Sequence, residues 1–348
     1  MRALRSSIQR SAVSHAYLFA GPGNTGKTTA ALAFAAALNC ANPSEAGDAC
    51  GLCASCVRIQ SGDNPDVRLV SPEGDQTKIE QMQEMIKALN FAPLDGKYHV
   101  FIIEQADTLN PSSENCILKI LEEPPLYAVL ILISSNPNSL LPTIRSRCRM
   151  VKFKRAGAGE VEEAVRKNFD LLVLRSEASP LRRVVPEDEL RVIVACSGGA
   201  IGRAFQLASD PEAMEERRAV IEILKGWADG PAVASIQAAE TIRLLAEPRK
   251  DDPDERTRIA RLTDMLDHIL SWYADLIVLK VTGSEAYIGN IDCAEHLRDH
   301  AERYSLGRLR KAAGIITETR RYLEGNITPQ LALENMLFDL RPDIQPAA

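Results

Sequence analysis

The sequence predicts an α/β domain with a parallel sheet at its N-terminal end, followed by two regions that are entirely helical. Short apolar runs alternate with helical patterns over residues 1–155, which is the order expected when crossover helices connect parallel strands. After Lys154 the strand pattern stops. A length of 348 residues exceeds one typical hydrophobic core and therefore favours two or three domains.

Five strands and three helices are predicted in the first region, 1–155. The last of the helices has the clearest ends, because Asn110 can cap it, Pro111 suits the first helical position, and Pro124-Pro125 stops it. The strands are predicted at His15–Ala20, Asp66–Val70, Tyr98–Glu104, Ala128–Ser134 and Met150–Phe153, and the helices at Thr28–Leu38, Lys78–Leu89 and Pro111–Leu121.

The remainder divides into a small helical region, 156–208, and a longer helical region, 209–348. The boundary follows from a change to long amphipathic patterns after Pro211. Helices are predicted at Gly159–Arg166, Glu187–Cys196 and Ile201–Ser209, and then at Glu212–Trp227, Ala232–Ala246, Asp254–Val281, His296–Tyr322 and Pro329–Leu340.

Composition and charge argue against some classes of protein, such as membrane proteins and independent DNA-binding proteins. Hydrophobic residues make up 45% and charged residues 25% of the chain, which is ordinary for a soluble protein. No apolar run approaches the roughly 18 residues needed to span a bilayer, and no signal peptide is evident, so we expect a cytoplasmic protein without a membrane partner. The net charge is −6, with +2 over 1–155 and −8 over the rest. This distribution lacks the basic footprint of an independent DNA-binding protein.

Residues 21–29, GPGNTGKTT, match the phosphate-binding pattern GxxxxGK[ST]. The motif lies between a predicted strand and a predicted helix, where backbone amides and the helix N-terminus can face phosphate oxygens. The alternative is an ordinary tight turn that binds no ligand. Only 20 residues precede the motif, so we expect little protein around an adenine base and weak affinity. The predicted contacts to ATP phosphates and Mg²⁺ are Gly21, Gly23, Gly26, Lys27, Thr28 and Thr29.

The strand YHVFIIEQAD predicts weak hydrolysis. A P-loop ATPase normally ends this strand with Asp-Glu, where the Asp helps to hold Mg²⁺ and the Glu polarises the attacking water. Glu104 and Gln105 occupy those positions, and Gln105 has no basic carboxylate. Asp107 lies past the strand and is expected to point elsewhere. Loss of one catalytic group lowers rates by about 10² to 10⁴.

Four cysteines, Cys40, Cys50, Cys53 and Cys56, have the spacing C-x9-C-x2-C-x2-C within an insert at 40–56. Four thiolates can close a tetrahedral structural zinc site. An iron–sulfur cluster is disfavoured because it would need a further cysteine just after the run Cys50, Cys53 and Cys56, where Val57-Arg58 follows. The alternative is a set of free thiols. The remaining cysteines, Cys116, Cys148, Cys196 and Cys293, stand in apolar contexts and are expected in the core.

Arginines recur in the segment LISSNPNSLLPTIRSRCRMVKF. Arg145, Arg147 and Arg149 alternate just before the last predicted strand, and such a run is most often a solvated surface. An arginine on a loop at a domain edge can also stabilise phosphate charge in a neighbouring subunit.

Several segments together resemble the clamp-loader subunits of bacterial DNA polymerase III, and within that family the delta prime type. The segments occur in the family's order and extend over nearly the whole chain, which is short, ends after the third region and has a degraded second ATPase motif. They are GPGNTGKTT, the four-cysteine insert, NPDVRLVSPEG, LKILEEPP, SSNPNSLLPTIRSRC and NITPQLALENMLFDL.

The resemblance implies an AAA+ domain at 1–155, a helical lid at 156–208 and a collar at 209–348 that joins other subunits in a ring. It implies that Arg147 completes the ATP site of an adjacent subunit, that Asn136 stands at a sensor position and that Arg203 is a second sensor. The implied partners are gamma/tau and delta type subunits, a sliding clamp and primed DNA. Zn²⁺ is the implied structural ion, and ATP with Mg²⁺ remains open because the P-loop is intact.

Two other functions compete with this one. A catalytically active gamma/tau-type ATPase would share most of the same motifs. An unrelated P-loop kinase would need a phosphoryl acceptor site, which the sequence does not show.

Overall fold

The computed structural model describes residues 2–72, 77, 79–89, 91–173, 185–247, 255–324 and 327–342. The chain divides into two compact units, Met1–Arg155 and Ala156–Ala348. Within the described residues, no helix is both long and apolar enough to cross a membrane.

The first unit is built on a five-stranded parallel sheet with the order β2-β3-β4-β1-β5. Leu18 of the first strand is in register with Leu132 of the fourth, and Phe101 of the third is in register with Leu130. The strands are β1 Ala16–Ala20, β2 Val67–Val70, β3 His99–Ile103, β4 Ala128–Ser134 and β5 Arg149–Lys152. All residues of β1, β3 and β4 are buried, as expected for parallel strands that are covered on both faces.

In the part of this unit that the structure describes, six α-helices accompany the sheet. Side chains alternate across β1, so Leu18 joins the hydrophobic cluster on one face of the sheet while Tyr17 and Phe19 join the cluster on the other. The helices are α1 Arg2–Gln9, α2 Lys27–Leu38, α3 Ala54–Ser61, α4 Ile79–Leu89, α5 Pro111–Glu122 and α6 Pro142–Arg147. The sequence analysis predicted α2, α4 and α5, and it missed the three short helices α1, α3 and α6.

Helices are the only regular secondary structure in the described residues of the second unit. It contains a small hydrophobic cluster around Val161 and Ile193 and a separate, larger one around Trp272 and Tyr273. The helices are α7 Ala158–Val173, α8 Glu187–Cys196, α9 Ile201–Ser209, α10 Pro211–Asp229, α11 Ala234–Leu245, α12 Glu255–Thr282, α13 Ala294–Arg303, α14 Leu306–Glu324 and α15 Pro329–Asp339.

One predicted helix, His296–Tyr322, is two helices in the structure. The chain leaves α13 at Tyr304, which is extended and buried. The Tyr304 ring packs edge-on against Tyr273 at 5.7 Å, and the two hydroxyls lie 3.1 Å apart. The Ser305 hydroxyl then accepts a hydrogen bond from the amide of Arg308. Burial of one tyrosine and capping by the next residue therefore override the continuous helical pattern.

Candidate functional site

The loop between β1 and α2 has the backbone that its glycines permit. Gly26 has a φ of +81°, and Asn24 has a φ of +56°. At the start of the loop, a Cβ atom on Gly21 would lie 2.3 Å from the carbonyl oxygen of Phe153, so only glycine fits there. Gly23 and Thr29 are exposed. The loop therefore has the strand, turn and helix context that a phosphate-binding loop requires.

Lys27 is buried beneath this loop. Its Nζ donates hydrogen bonds to the carbonyl oxygens of Gly21, at 2.8 Å, and Pro22, at 2.6 Å. Burial lowers the pKa of Lys27, and the negative charge of Asp107 opposes that effect. The ammonium group thus lies inside the curve of the loop, where it would meet terminal phosphates.

Thr28 and Glu104 connect the P-loop to the end of β3. The Thr28 hydroxyl donates to Oε1 of Glu104 at 2.7 Å, and the Ser71 hydroxyl donates to Oε2 at 2.8 Å. A hydroxyl and a carboxylate side by side are hard oxygen ligands of the kind Mg²⁺ prefers. The residues present therefore fit a magnesium-bound nucleotide, with Thr28 and Glu104 as the groups that would hold the ion.

Gln105 follows Glu104 in a left-handed conformation, with a φ of +44°, and is exposed. Its amide cannot accept a proton from water at neutral pH. The sequence analysis expected Asp107 to point away from the site, but the negative charge of Asp107 raises the pKa of Lys27, against the effect of burial. Its Oδ1 accepts a hydrogen bond from the amide of Ser135 at 3.1 Å, at the end of β4.

The two sensor candidates have different surroundings. Asn136 lies two residues beyond β4 and is exposed, and its carbonyl oxygen accepts hydrogen bonds from the amide and the hydroxyl of Ser139. Arg203, on α9 of the second unit, donates to Oδ2 of Asp267 at 3.2 Å and contacts Nδ1 of His268 at 3.3 Å. Burial, with help from the Arg203 charge, lowers the pKa of His268 to about 3, so the neutral ring can accept from the guanidinium.

Arg147 lies at the exposed end of α6. Its Nη2 donates to Oε1 of Glu122 at 3.0 Å, and its Nη1 donates to the carbonyl oxygen of Thr143 at 3.3 Å. The side chain is 37% exposed, so a partner can reach the guanidinium. Arg145 instead bonds Oδ1 of Asn138 at 2.8 Å, while Arg149 is exposed on the edge strand β5.

The four cysteines of the insert converge. Their sulfur atoms lie within 4.8 Å of one another, with 4.0 Å between Cys40 and Cys53 and between Cys50 and Cys56. Sulfurs bound tetrahedrally at about 2.3 Å from zinc lie roughly 3.8 Å apart. None of the four forms a disulfide. The four sulfurs therefore fit a closed zinc site, and the other cysteines lie elsewhere, with Cys148 and Cys293 buried and Cys116 and Cys196 half-buried.

Backbone amides surround these sulfurs because the chain turns tightly before α3. Amides of Leu52 and Cys53 donate to Sγ of Cys50, at 3.5 and 3.3 Å, and lower its pKa. Backbone hydrogen bonds lower the pKa of Cys53 to about 6, and the bond with Ala41 has the largest effect. Burial raises the pKa of Cys56 to about 12, an unfavourable environment for a thiolate unless a cation is bound beside it.

Sequence reasoning missed Ser71, Glu122 and Thr143 as neighbours of the site residues. Ser71 follows β2, and it reaches Glu104 only because β2 lies beside β3 in the sheet. Strand order cannot be read from apolar runs. Glu122 was visible within LEEPP, but its contact with Arg147 depends on how α5 and α6 pack.

The sheet order and the loop geometry define the class of protein as a P-loop AAA+ domain followed by helices. The family model "DNA polymerase III, delta subunit" matches residues 1–157, and the model "DNA polymerase III, delta subunit, C terminal" matches residues 237–341. The chain belongs to the family of clamp-loader subunits of bacterial DNA polymerase III.

Curated relatives include both delta prime and gamma/tau proteins. DNA polymerase III subunit delta' of Bacillus subtilis is 27% identical over 98% of this chain and 95% of its own length. The delta' subunit of Pseudomonas aeruginosa is 34% identical over 61% of each chain. Subunit tau of Bacillus subtilis is 24% identical over 96% of this chain, which spans 58% of the length of tau.

Alignments with two solved structures cover nearly the whole of both chains. A gamma-subunit-related protein of DNA polymerase III from Thermotoga maritima superimposes with a TM-score of 0.48 at 15% identity, covering 96% of this chain and 97% of the other. The DNA clamp loader delta protein of Bacillus subtilis has a TM-score of 0.37 at 12% identity, covering 98% and 99%.

Proposed function

We propose that this chain is a delta prime-type subunit of the DNA polymerase III clamp loader, which loads a sliding clamp onto primed DNA. It supplies Arg147 to the ATP bound by an adjacent subunit and hydrolyses little or no ATP itself. The observation that carries the proposal is the contrast between two positions. Arg147 is exposed at the end of α6, while Gln105 stands where an ATPase needs a carboxylate.

The expected changes in the rate of ATP hydrolysis support this division of roles. A guanidinium supplied in trans to a triphosphate accelerates hydrolysis by about 10³ to 10⁵. Absence of the general base lowers the rate at the chain's own site by about 10² to 10⁴. The same subunit can therefore be a poor ATPase and a strong activator of its neighbour.

The chain's own P-loop would bind ATP through Gly21, Gly23, Gly26, Lys27, Thr28 and Thr29. Glu104 would share a magnesium ion with Thr28, and Asn136 and Arg203 would act as sensors. Within the second unit, Arg203 is bonded to Asp267 and His268. Zn²⁺ would occupy the four-cysteine site as a structural ion.

Other clamp-loader subunits of the gamma/tau and delta types are the proposed partners, and this replication role belongs in the cytoplasm. The helices of 209–348 would form the collar that joins the subunits, with 156–208 as the lid. The cluster around Val161 and Ile193 lies mainly in 156–208, although it also includes Met214 of α10, and the larger cluster lies within 209–348. The net charge of −6 agrees with DNA being contacted through the assembly rather than by this chain alone.

The test is steady-state phosphate release by the reconstituted complex. Arg147→Ala is expected to lower hydrolysis at the adjacent site by about 10³-fold. Arg149→Ala removes an exposed arginine two residues away and should leave the rate unchanged. Equal rates for Arg147→Ala and wild type would refute the role in trans.

An active gamma/tau-type ATPase is the second candidate. The bond between Thr28 and Glu104 and the intact Lys27 favour it, as do the gamma/tau relatives. Steady-state hydrolysis by the isolated chain separates the two candidates. Turnover that Lys27→Ala abolishes would establish the gamma/tau type, whereas a background rate that Lys27→Ala leaves unchanged agrees with delta prime.

A further inference from the structure

Helix α5 holds α6 at both ends. At the beginning of α6, Oε1 of Glu114 accepts a hydrogen bond from the amide of Leu141 at 3.1 Å, and Glu114 is 7% exposed. At the end of α6, Oε1 of Glu122 accepts from Arg147. Ile144, between these two points, is fully buried in the cluster beneath the sheet. The short helix that carries Arg147 is therefore fixed along its length.

The guanidinium of Arg147 is held in a defined plane by two acceptors. Glu122 takes a hydrogen bond from Nη2, and the carbonyl oxygen of Thr143 takes one from Nη1. A guanidinium carries five N–H donors in a fixed fork. Two of them serve these intramolecular bonds, and the group remains 37% exposed.

We propose that Glu122 is a positioning residue, which orients the Arg147 guanidinium for the triphosphate of a neighbouring subunit. The inference rests on the proposed function of Arg147 in trans. A free arginine side chain must be ordered when it binds phosphate, and a side chain already held by Glu122 and Thr143 has lost that freedom in advance. Because the ion pair is exposed, it adds little to the stability of the chain, so its effect lies in orientation.

The test compares three variants in the reconstituted complex. Glu122→Ala is expected to lower ATP turnover roughly two- to tenfold, the range for ordering one long side chain. Glu122→Gln keeps an oxygen acceptor and should retain more than half of the wild-type rate. Glu123→Ala changes the adjacent exposed glutamate and serves as the matched control, with no expected loss.

A double mutant shows whether the effect passes through Arg147. Adding Glu122→Ala to Arg147→Ala should cause no further loss, because the group that is positioned has been removed. An independent twofold or larger loss in that background would overturn the inference. Turnover that rises with Glu122→Ala would also overturn it, since Glu122 would then restrain Arg147 rather than orient it.

A measurement on the isolated chain separates this inference from the proposed function. Phenylglyoxal modifies accessible arginines, and peptide mass spectrometry reports the rate at each one. Glu122→Ala should increase the modification rate of Arg147 severalfold relative to Arg149, and Glu122→Gln should give a smaller increase. An unchanged ratio would refute the positioning, whereas wild-type turnover with Arg147→Ala would refute the role in trans alone.

Discussion

The Thr28 hydroxyl and the Glu104 carboxylate are joined by a 2.7 Å hydrogen bond, which places the two proposed magnesium ligands of the P-loop domain side by side. An ATPase also needs a carboxylate one position further along, and this chain has Gln105 there. Under the proposed function, the site therefore binds a nucleotide but lacks the group for hydrolysis.

Restoring that carboxylate should revive hydrolysis. Gln105→Glu is expected to raise phosphate release by the isolated chain by up to about 10² to 10⁴, because a general base returns next to the site. Gln105→Ala is the control and should give no gain. If the Glu variant binds ATP tightly and still does not hydrolyse it, another catalytic element is absent as well.

Zinc should fix the N-terminal helix α1. The insert contacts α1 through the 2.7 Å bond between Arg5 and Asp48 and through Gln9, which donates to the carbonyl oxygen of Glu45. Metal analysis should find one zinc per chain. Its removal by chelation, or by Cys53→Ser, should speed amide hydrogen exchange in α1 because the insert loses its ordered turn.

Cys116→Ser provides the control for that experiment, since Cys116 lies outside the cluster, and it should leave zinc content and exchange unchanged. Exchange in α1 that stays the same after confirmed loss of zinc would show that the helix is held by its own packing. A wild-type chain without zinc would contradict the metal site itself.

Asp66 should govern the acid stability of the first unit. Its buried carboxylate accepts hydrogen bonds from the amides of Leu94, Asp95 and Gly96, each at 2.7 Å. Burial raises the pKa of Asp66, but these bonds and His99 outweigh burial and lower it below its usual value. Its stabilising contribution is therefore complete above about pH 4 and is lost as pH falls through the depressed pKa.

Asp66→Asn should lower the free energy of unfolding by about 2 to 4 kcal/mol at neutral pH. The Asn side chain has an NH2 group in place of one carboxylate oxygen, and that group cannot accept hydrogen bonds from the loop amides. The variant should also lose less stability than wild type between pH 4 and pH 2. Denaturant unfolding across this pH range measures both effects, with the exposed Asp63→Asn as control. Parallel pH profiles for Asp66→Asn and wild type would contradict the assignment.

Substitution of Arg217 should destabilise the second unit. Arg217 is 1% exposed and bonds Asn290 and both carboxylate oxygens of Asp292 at 2.7 to 2.9 Å. Arg217→Met leaves Asp292 without this partner and should cost about 3 kcal/mol of stability. Thermal unfolding checks this against the exposed Arg218→Met, which should match wild type; equal melting temperatures for both variants would contradict it.

Local patterns predicted the regular elements well. The ends of β4 and of the helices α8 and α9 agree with the prediction, β1 and β2 differ by one residue at one end, and β3 and β5 differ by one residue at each end. These elements follow from apolar periodicity and from caps such as Asn110, which accepts the predicted bond from the amide of Ser113. The division of the helical part into a lid and a collar stays a prediction.

Long-range contacts explain most of what the sequence did not show. The break at Tyr304 requires Tyr273 from another helix, and the contact of Ser71 with Glu104 requires the strand order. The position of Asp107 depends on a turn with a left-handed residue at Gln105, which no glycine announced. Two of these features depend on a contact with a residue far along the chain. The third depends on an uncommon backbone conformation.

ATP turnover by one reconstituted complex tests the central claim most directly, with Lys27→Ala or Arg147→Ala introduced into this chain alone. The account predicts a rate close to wild type for Lys27→Ala, because the chain's own site contributes little hydrolysis, and a large loss for Arg147→Ala. A large loss for Lys27→Ala together with a wild-type rate for Arg147→Ala would contradict it.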